Sequence, residues 1–589
     1  MAASLKDAMK KAYATQGLEP PSKKQKKPKN SSWKDQVMVS YGTVETHSRN
    51  KMEREKLPNN RNSHTGHDLA AILAGIKARE SKSATLSPPV QPKTSTNKTE
   101  PPDCEIKVKN GIRLTCLIED DRQQHSYCAP AKAGIKEQAH AGTWQDEREV
   151  VIGLDFGTSS VKTIIADRAL AKAFSVPFST TEGIGRYLLP SRLFETDGTY
   201  LLVDGDITHR DLKLSLLADP DDTEAQIRVA AFLALIIRHS RGWLLSEHRD
   251  VYRQTNILWK LAVGLPAAHH LHSEHHALFQ QVAQAAWLVA ASSKLEITRE
   301  SVGYALSRAE QLVTGSPPSR PAEEAEISVV PELAAQIYGY VASNRFNRNA
   351  PNLYLMVDVG AGTVDSSLFR VEHSTGGKKK FTFFTSQVQP NGVMNLHRHR
   401  INWWEKVLSK LGPSNVPNTA CLMNSKLSTD RLSSIPERFI DYFSGVAVTH
   451  RASVQDPDQE FFHKRVVVQV RGNTLWQTWR DKFLSRNDLS GVPMFLCGGG
   501  TRMQYYRDLE QEMSKMPGYS WLKAEARPLE VPKSLIAPGL PRQDYDRLSV
   551  AFGLSFLEVS AVLKATPLPP ILPDEVASWR DNYTDKDQC

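Results

Sequence analysis

The stretch LMVDVGAGTVDSSLFRV at residues 355–371 decides how this chain is read. Apolar residues flank a glycine turn on both sides, so it reads as strand, tight turn, strand. Gly360 and Gly362 accept backbone angles that a Cβ would forbid, so the amides between the strands can face an anion, and Thr363 adds a hydroxyl. Asp358 leaves the first strand and Asp365 enters the second, a spacing that suits a hydrated magnesium ion held against phosphates. Alone, such a loop also closes ordinary hairpins.

A second stretch of the same design lies upstream. VVIGLDFGTSSVKTIIAD at 150–167 places Asp155, Gly157, Thr158, Ser159 and Ser160 between two apolar strands. Downstream, VPMFLCGGGTRMQYYRDL at 492–509 is a buried strand running into Gly498, Gly499 and Gly500 and then a helix. Bare backbone at that point suits the sugar and base of a nucleotide.

In this order the three elements resemble the phosphate-1, phosphate-2 and adenosine motifs of the actin, sugar-kinase and heat-shock-chaperone ATPase superfamily. Gly264-Leu265-Pro266-Ala267 is similar to the strand-end Val-Pro-Ala of the seventy-kilodalton heat-shock chaperones, and VVPELAAQIYGYV at 329–341 resembles their connecting helix. The separations between the motifs are also close to those of the chaperone ATPase. The resemblance covers roughly Val150 to Leu563. It implies an α/β, two-lobed actin-like ATPase fold of duplicated ribonuclease-H-like domains, with lobes at 150–345 and 346–565. A second connecting helix is expected at Asp546 to Glu558, where Ala551 and Gly553 permit close approach and shear.

The resemblance also implies roles. Asp155 and Asp358 would organise Mg2+ and its waters, and Gly157, Thr158 and Ser159 would hold phosphate oxygens of ATP. Thr363 would face the terminal phosphate and Asp365 would orient water, with Gly360 and Gly362 as the nucleotide-binding glycines of the same loop. Gly498, Gly499 and Gly500 would approach the ribose, and the Arg502 guanidinium would pack on adenine. Two positions depart from the chaperone pattern. A lysine that reaches the terminal phosphate there falls here at His209 in YLLVDGDITHR, with Arg210 next to it, and histidine is mostly neutral at pH 7. The glutamate before the connecting-helix proline is Val330 here, leaving Glu332 as the nearest carboxylate for a general-base or water-positioning role. ATP binding with slow hydrolysis is the expectation.

Composition fits such a chain. It has 589 residues, of which 40% are apolar, enough for two or three domains with sizeable cores. No apolar run approaches the roughly 20 residues of a membrane span, and no signal peptide is visible, so a cytoplasmic location is expected. The six cysteines lack a CxxC pair, which argues against a disulfide framework. Cys497, inside the apolar strand 492–497, reads as a buried residue. Histidines 269, 270, 272, 275 and 276 cluster, but no cysteine or well-spaced carboxylate completes a zinc set. Cys104, Cys116, His125 and Cys128 do not have zinc-ribbon spacing either.

Charge is uneven. Residues 1–100 hold 19 Lys and Arg against 9 Asp and Glu, a balance of +10 in a chain whose whole is +9. This basic extension, 1–102, is poor in core-forming residues and reads as largely disordered. Leu5 to Ala14 and His67 to Arg79 are short candidate helices for docking a protein partner. The run Lys23, Lys24, Lys26, Lys27 and Lys29 offers sequence-independent attraction to nucleic acid or an acidic surface, although no aromatics interleave with it for base stacking. CEIKVKNGIRLTCLI at 104–118 reads as a hairpin about Asn110-Gly111, within a small docking segment at 103–149. Trp403-Trp404 reads as core rather than as a partner anchor. A proline-rich tail follows at 566–589.

Fewer than a hundred residues follow Arg502 here, so the resemblance is expected to stop short of the chaperones' peptide-binding domain. The leading expectation is an ATP-binding, chaperone-like conformational switch that signals to a protein partner. A metabolite kinase of the sugar-kinase branch, which the opening GLDFGTSSVK also resembles, and a filament-forming actin relative are the alternatives.

Overall fold

The structure, a computed structural model, describes residues 104–115, 146–266, 273–314, 325–409, 435–450, 456–514, 519 and 521–567. The basic extension with its lysine run and two short candidate helices, and the tail beyond 567, lie outside the described residues.

Two mixed sheets with the same topology organise the chain. In the first, β1 (Asp146–Phe156), β2 (Ser160–Asp167), β3 (Lys172–Ser175), β4 (Thr255–Leu265) and β5 (Glu326–Pro331) run in the order β3-β2-β1-β4-β5. β2 is antiparallel to β1 and β3, whereas β1, β4 and β5 are mutually parallel. The second sheet repeats this with β6 (Leu353–Val359), β7 (Val364–His373), β8 (Lys379–Gln389), β9 (Ser490–Cys497) and β10 (Lys523–Ala526), in the order β8-β7-β6-β9-β10. Again the second strand is antiparallel to its neighbours and the others are parallel. Each sheet gains a parallel strand at the corresponding edge, Leu535–Ile536 on β3 and Val559–Lys564 on β8. Leu535–Ile536, inside the stretch expected to belong to the second lobe, therefore returns to the first sheet.

The apolar runs explain these strands. Every residue of β1 from Val150 to Phe156 is buried, as a central parallel strand covered on both faces requires. Burial of each large apolar side chain contributes about 1.5–3 kcal/mol, so this one strand anchors its sheet. On one side pack α2 (Thr223–Glu247) and α3 (Ser273–Ala291), in a core with Phe156, Phe232 and Trp287. Asp222 caps α2 by accepting from the amides of Glu224 and Ala225, worth about 1 kcal/mol.

Between the two sheets lie α4 (Glu332–Gln336) and α6 (Ser549–Phe556). α6 is buried from Ser549 to Ser555, with Phe552 and Ala551 against Ile164 and Ala166 of the first sheet, and Val550 and Leu554 in a cluster with Met356 and Phe495 of the second. A helix apolar all round belongs in such a position. Its contact with α4 depends on Gly553, where a Cβ would stand 1.8 Å from the Ala335 carbonyl oxygen. The connecting helix starts later than its sequence suggests, because Val329–Pro331 complete β5 before α4 begins. Likewise Asp546 lies within the 3-10 helix Arg542–Arg547, and the α-helix proper begins at Ser549.

The hairpin expected about Asn110-Gly111 does not form. Cys104–Leu114 is one strand, antiparallel to Phe443–His450, and the Asn-Gly pair falls in the register irregularity between Val108 and Arg113. A partner more than 300 residues away supplies a longer ladder than a self-paired hairpin could, and the loop-prone pair is absorbed as a bulge. The apolar faces of these two strands cover α5 (Val393–Ser409), where Trp404 is buried and donates from Nε1 to the Phe439 carbonyl at 2.7 Å. Trp403 is half-buried in the same cluster. Cys497 is buried beneath the glycine turn that follows β9. Of the histidine cluster only His275 and His276 are described, and of the Cys/His set at 104–128 only Cys104.

Candidate functional site

The three sequence elements converge on one cleft of about 420 Å³ between the sheets. Asp155 stands near the end of β1, Asp358 near the end of β6, and the β1–β2 and β6–β7 turns face one another with Gly498 to Arg502 closing a third side. Of the residues expected at a nucleotide site, Asp155, Gly157, Thr158, Ser159, Glu332, Asp358, Gly360, Thr363, Asp365, Gly498, Gly499, Gly500 and Arg502 line this cleft. Gly362 is not among the lining residues, but a Cβ there would stand 3.6 Å from Thr158 Cγ2 of the facing loop.

Backbone geometry makes the second loop a cradle. The carbonyls of Gly360, Ala361 and Gly362 accept from the amides of Val393, Met394 and Gly392, and the Asn395 side chain adds a bond to Gly362 at 2.6 Å. Because N–H and C=O point oppositely in a trans peptide, the amides of Ala361, Gly362 and Thr363 are turned the other way. Gly392 is what lets α5 approach, since a Cβ there would meet the Ala361 and Gly360 oxygens at 2.6 Å. The first loop is tied similarly, with Ser191 Oγ donating to the Gly157 carbonyl at 2.7 Å and the Ser191 amide donating to Ser159 O at 3.1 Å.

The glycines after β9 have a packing reason of their own. Gly498 has φ +90°, and a Cβ there would lie 2.1 Å from Asp358 Oδ1. At Gly500 a Cβ would meet Val359 Cγ1 at 2.3 Å, and at Gly499 the Arg547 guanidinium at 2.9 Å. A side chain at Gly498 or Gly500 would displace the end of β6 and with it Asp358, and one at Gly499 would push on Arg547. Arg502 is held on the protein itself by Asp544 and Asp546, at 2.9 and 2.6 Å.

Four carboxylates crowd the floor. Lys162, the cross-strand partner of Asp155, donates to Asp155 Oδ2 at 3.0 Å. Gln336 Nε2 donates to Asp358 Oδ2 at 2.8 Å. Lys213 Nζ lies 2.6 Å from Glu332 Oε1; the lysine side chain is buried and the glutamate is largely so. Asp365 Oδ1 is buried with no hydrogen-bond partner. Burial, reinforced by Asp155, pushes the Asp358 carboxyl up to about 6. Burial together with Glu332 and Asp358 pushes Asp365 up to about 8. Glu332 is raised by burial despite its lysine; burial lowers Lys213, but Glu332 with Asp155 and Asp365 together more than offset it and leave the ammonium raised. The floor is thus short of positive charge.

The cation expected at His209 or Arg210 stands elsewhere. His209 bonds Glu195 at 2.8 Å in a small sheet formed by Leu193–Thr196, Thr199–Leu201 and Ile207–His209, and neither His209 nor Arg210 lines the cleft. Lys213 does, because a left-handed turn at Asp211 (φ +56°) starts α1 (Leu212–Ala218) and swings the next turn inward. Sequence reasoning also missed Lys162, Gln336 and Arg547, which surround the same carboxylates or the glycine turn. Lys162 was open to discovery, since its register opposite Asp155 follows from the hairpin.

Among the described residues no three His, Cys, Asp or Glu side chains converge closely enough to hold a metal ion. Magnesium characteristically takes one or two carboxylates and completes its shell with water and phosphate, so Asp155 and Asp358 fit it only together with such a ligand. The partnerless Asp365 oxygen and the raised carboxyls are the chemistry that an added cation would relieve.

No protein-family model matches the chain, and comparison with the curated proteins returns no match. Among the described residues no helix is long and apolar enough to cross a membrane.

Proposed function

We propose that this cleft binds ATP with Mg2+ and that the chain is a slowly hydrolysing, nucleotide-driven conformational switch with the two-lobed actin-like ATPase fold. One observation carries the reading: two hairpins of the same design, each at the corresponding place in one of two sheets of the same strand order, present Asp155 and Asp358 to a single cleft. A duplicated frame with its paired loops face to face suits a polyphosphate gripped from both sides.

In this reading the amides of Ala361 to Thr363 and the hydroxyls of Thr158 and Ser159 bind phosphate oxygens. Asp155 and Asp358 hold the waters of Mg2+, which when bound neutralises charge developing on the phosphates. Lys213 supplies the cation for the terminal phosphate and must loosen from Glu332 to reach it. Glu332, once released, and Asp365 are placed to orient an attacking water. The need to break a buried ion pair first is consistent with slow turnover. α4 and α6, in contact at Ala335 and Gly553, are the elements across which the lobes would shear. The partner that receives the movement is proposed to dock on the N-terminal extension.

Phosphate release from ATP with no sugar or other acceptor present tests the reading against the kinase alternative. Slow release by the wild type that is abolished in Asp358→Ala supports it. Release that appears only when a hydroxylated acceptor is added would favour the kinase.

A further inference from the structure

The turn Gly360–Thr363 and the glycine turn Gly498–Arg502 form two walls of the cleft, and one buried chain of hydrogen bonds joins them from behind. It starts at the carbonyl of Val364, the residue after the first turn, which accepts from Gln469 Nε2 at 2.6 Å. Gln469 Oε1 accepts from Asn391 Nδ2 at 2.8 Å, and the Asn391 carbonyl accepts from the Tyr506 hydroxyl at 2.8 Å. Tyr506 belongs to the helical turn Gln504–Arg507, one residue beyond the 3-10 turn Gly499–Arg502. Asn391 is followed by Gly392, whose amide donates to the Gly362 carbonyl at 3.3 Å. Gln469, Asn391 and Tyr506 are buried, and none of the three lines the cleft.

This chain has one arrangement that satisfies its members. Turning the Gln469 amide over would set its NH2 against that of Asn391 and its oxygen against the Val364 carbonyl. The helix carrying Gln469 is wound in π register from Val468 to Trp476, a geometry that concentrates at functional positions. Five residues on, Thr474 donates to the Gln469 carbonyl at 3.1 Å and stands 2.7 Å from Ser366 Oγ, so β7 is pinned to the π turn at a second point. Breaking one link strands the next polar group where no solvent replaces it. A displacement of the Gly360–Thr363 turn is therefore carried to Tyr506, and a displacement of the glycine turn returns along the same path.

We propose that Gln469, Asn391 and Tyr506 are positioning residues that couple the two walls, so that a ligand held at one wall orders the other for its own ligand. The inference rests on the nucleotide reading for what binds, phosphates at the first wall and the nucleoside at the second. Coupling between sites is reciprocal, and a ligand that has already ordered the shared network spares the next one that cost. Adenosine and magnesium pyrophosphate, which together lack only the linking phosphate of ATP, should then bind with positive cooperativity.

Calorimetric titration of magnesium pyrophosphate into the full chain, with and without saturating adenosine, tests this. Wild type should bind pyrophosphate at least about fivefold more tightly with adenosine present, and Tyr506→Phe and Gln469→Leu should bring that ratio close to one. A purely structural role would weaken both ligands and leave the ratio unchanged. Hydrogen exchange of the ligand-free chain gives an independent readout. Tyr506→Phe should speed exchange at the Gly392, Val393 and Met394 amides by about tenfold, with no change in β1. Independent binding of the two ligands by wild type, or undiminished cooperativity in both variants, would overturn the proposal. So would unchanged exchange at Gly392–Met394 in Tyr506→Phe, or a rise spread evenly over the chain. If wild type binds neither ligand the nucleotide reading falls, and the exchange result alone decides whether the walls are coupled.

Discussion

Lys213 Nζ and Glu332 Oε1 stand 2.6 Å apart across the floor of the cleft, joining the first turn of α1 to the first residue of α4. Gly264 makes the arrangement possible, since a Cβ there would press on Glu332 Cγ at 2.8 Å. In the proposed reading, a terminal phosphate would have to open this pair.

Removing either partner leaves the other buried and unpaired. Lys213→Met and Glu332→Gln are each expected to lower stability, Lys213→Met by about 3–5 kcal/mol, with the double variant recovering part of the loss. Chemical denaturation measures this. On function the two should separate, Lys213→Met weakening ATP binding at least tenfold and Glu332→Gln leaving binding intact while slowing phosphate release.

The Asp365 carboxyl sets a pH dependence in the ligand-free protein. Its folded value of about 8 lies well above an ordinary aspartate, so the native state holds a proton that the unfolded chain has released. Stability from this group is full below about pH 4 and is lost as pH rises through about 8. Asp365→Asn should therefore flatten the decline in Tm between about pH 4 and 8, and an unchanged decline would locate its cause elsewhere.

Gly553→Ala places a methyl 1.8 Å from the Ala335 oxygen. The α4–α6 crossing cannot absorb it, and a loss of at least 1–3 kcal/mol is expected. Gly303→Ala is the control: it lies in the helix Arg299–Thr314 with only Ile227 Cδ1 near, at 4.0 Å, and should gain about 0.5–1 kcal/mol.

Arg400 fixes one wall of the cleft. It pairs with both oxygens of Asp458, at 2.6 and 2.9 Å, and donates to the carbonyls of Pro436 and Glu437. Arg400→Leu should cost about 3–5 kcal/mol by stranding Asp458. It should also weaken nucleotide binding, because Ile435 and Glu437 beside those carbonyls line the cleft. Calorimetry on the folded fraction distinguishes the two effects.

Much of the cleft was legible in local pattern. The glycine turns at 157 and 360 and the run at 498–500 each have a chain-local signature, and the structure brings all three to one place. What escaped was set by distant partners or by backbone angles that composition does not encode. Asp211 in a left-handed conformation decides that Lys213, not His209, faces the carboxylates. Asn110-Gly111 carries a hairpin signature, but Phe443–His450 offers a better ladder. The π-helical turns at Phe462–Val466 and Val468–Trp476 bury Gln469 against the Val364 carbonyl behind the turn at Gly360–Thr363, and no periodicity in the sequence announces them.

The central claim is that Asp155 and Asp358 serve one Mg2+–nucleotide site. Calorimetric titration of ATP into the full chain, with and without Mg2+, tests it most directly. Wild type should bind one ATP per chain with affinity that falls at least tenfold when Mg2+ is removed, and Asp358→Ala should lose that magnesium dependence. Absence of ATP binding by the folded wild type, or the same magnesium-dependent affinity in Asp358→Ala, would contradict it.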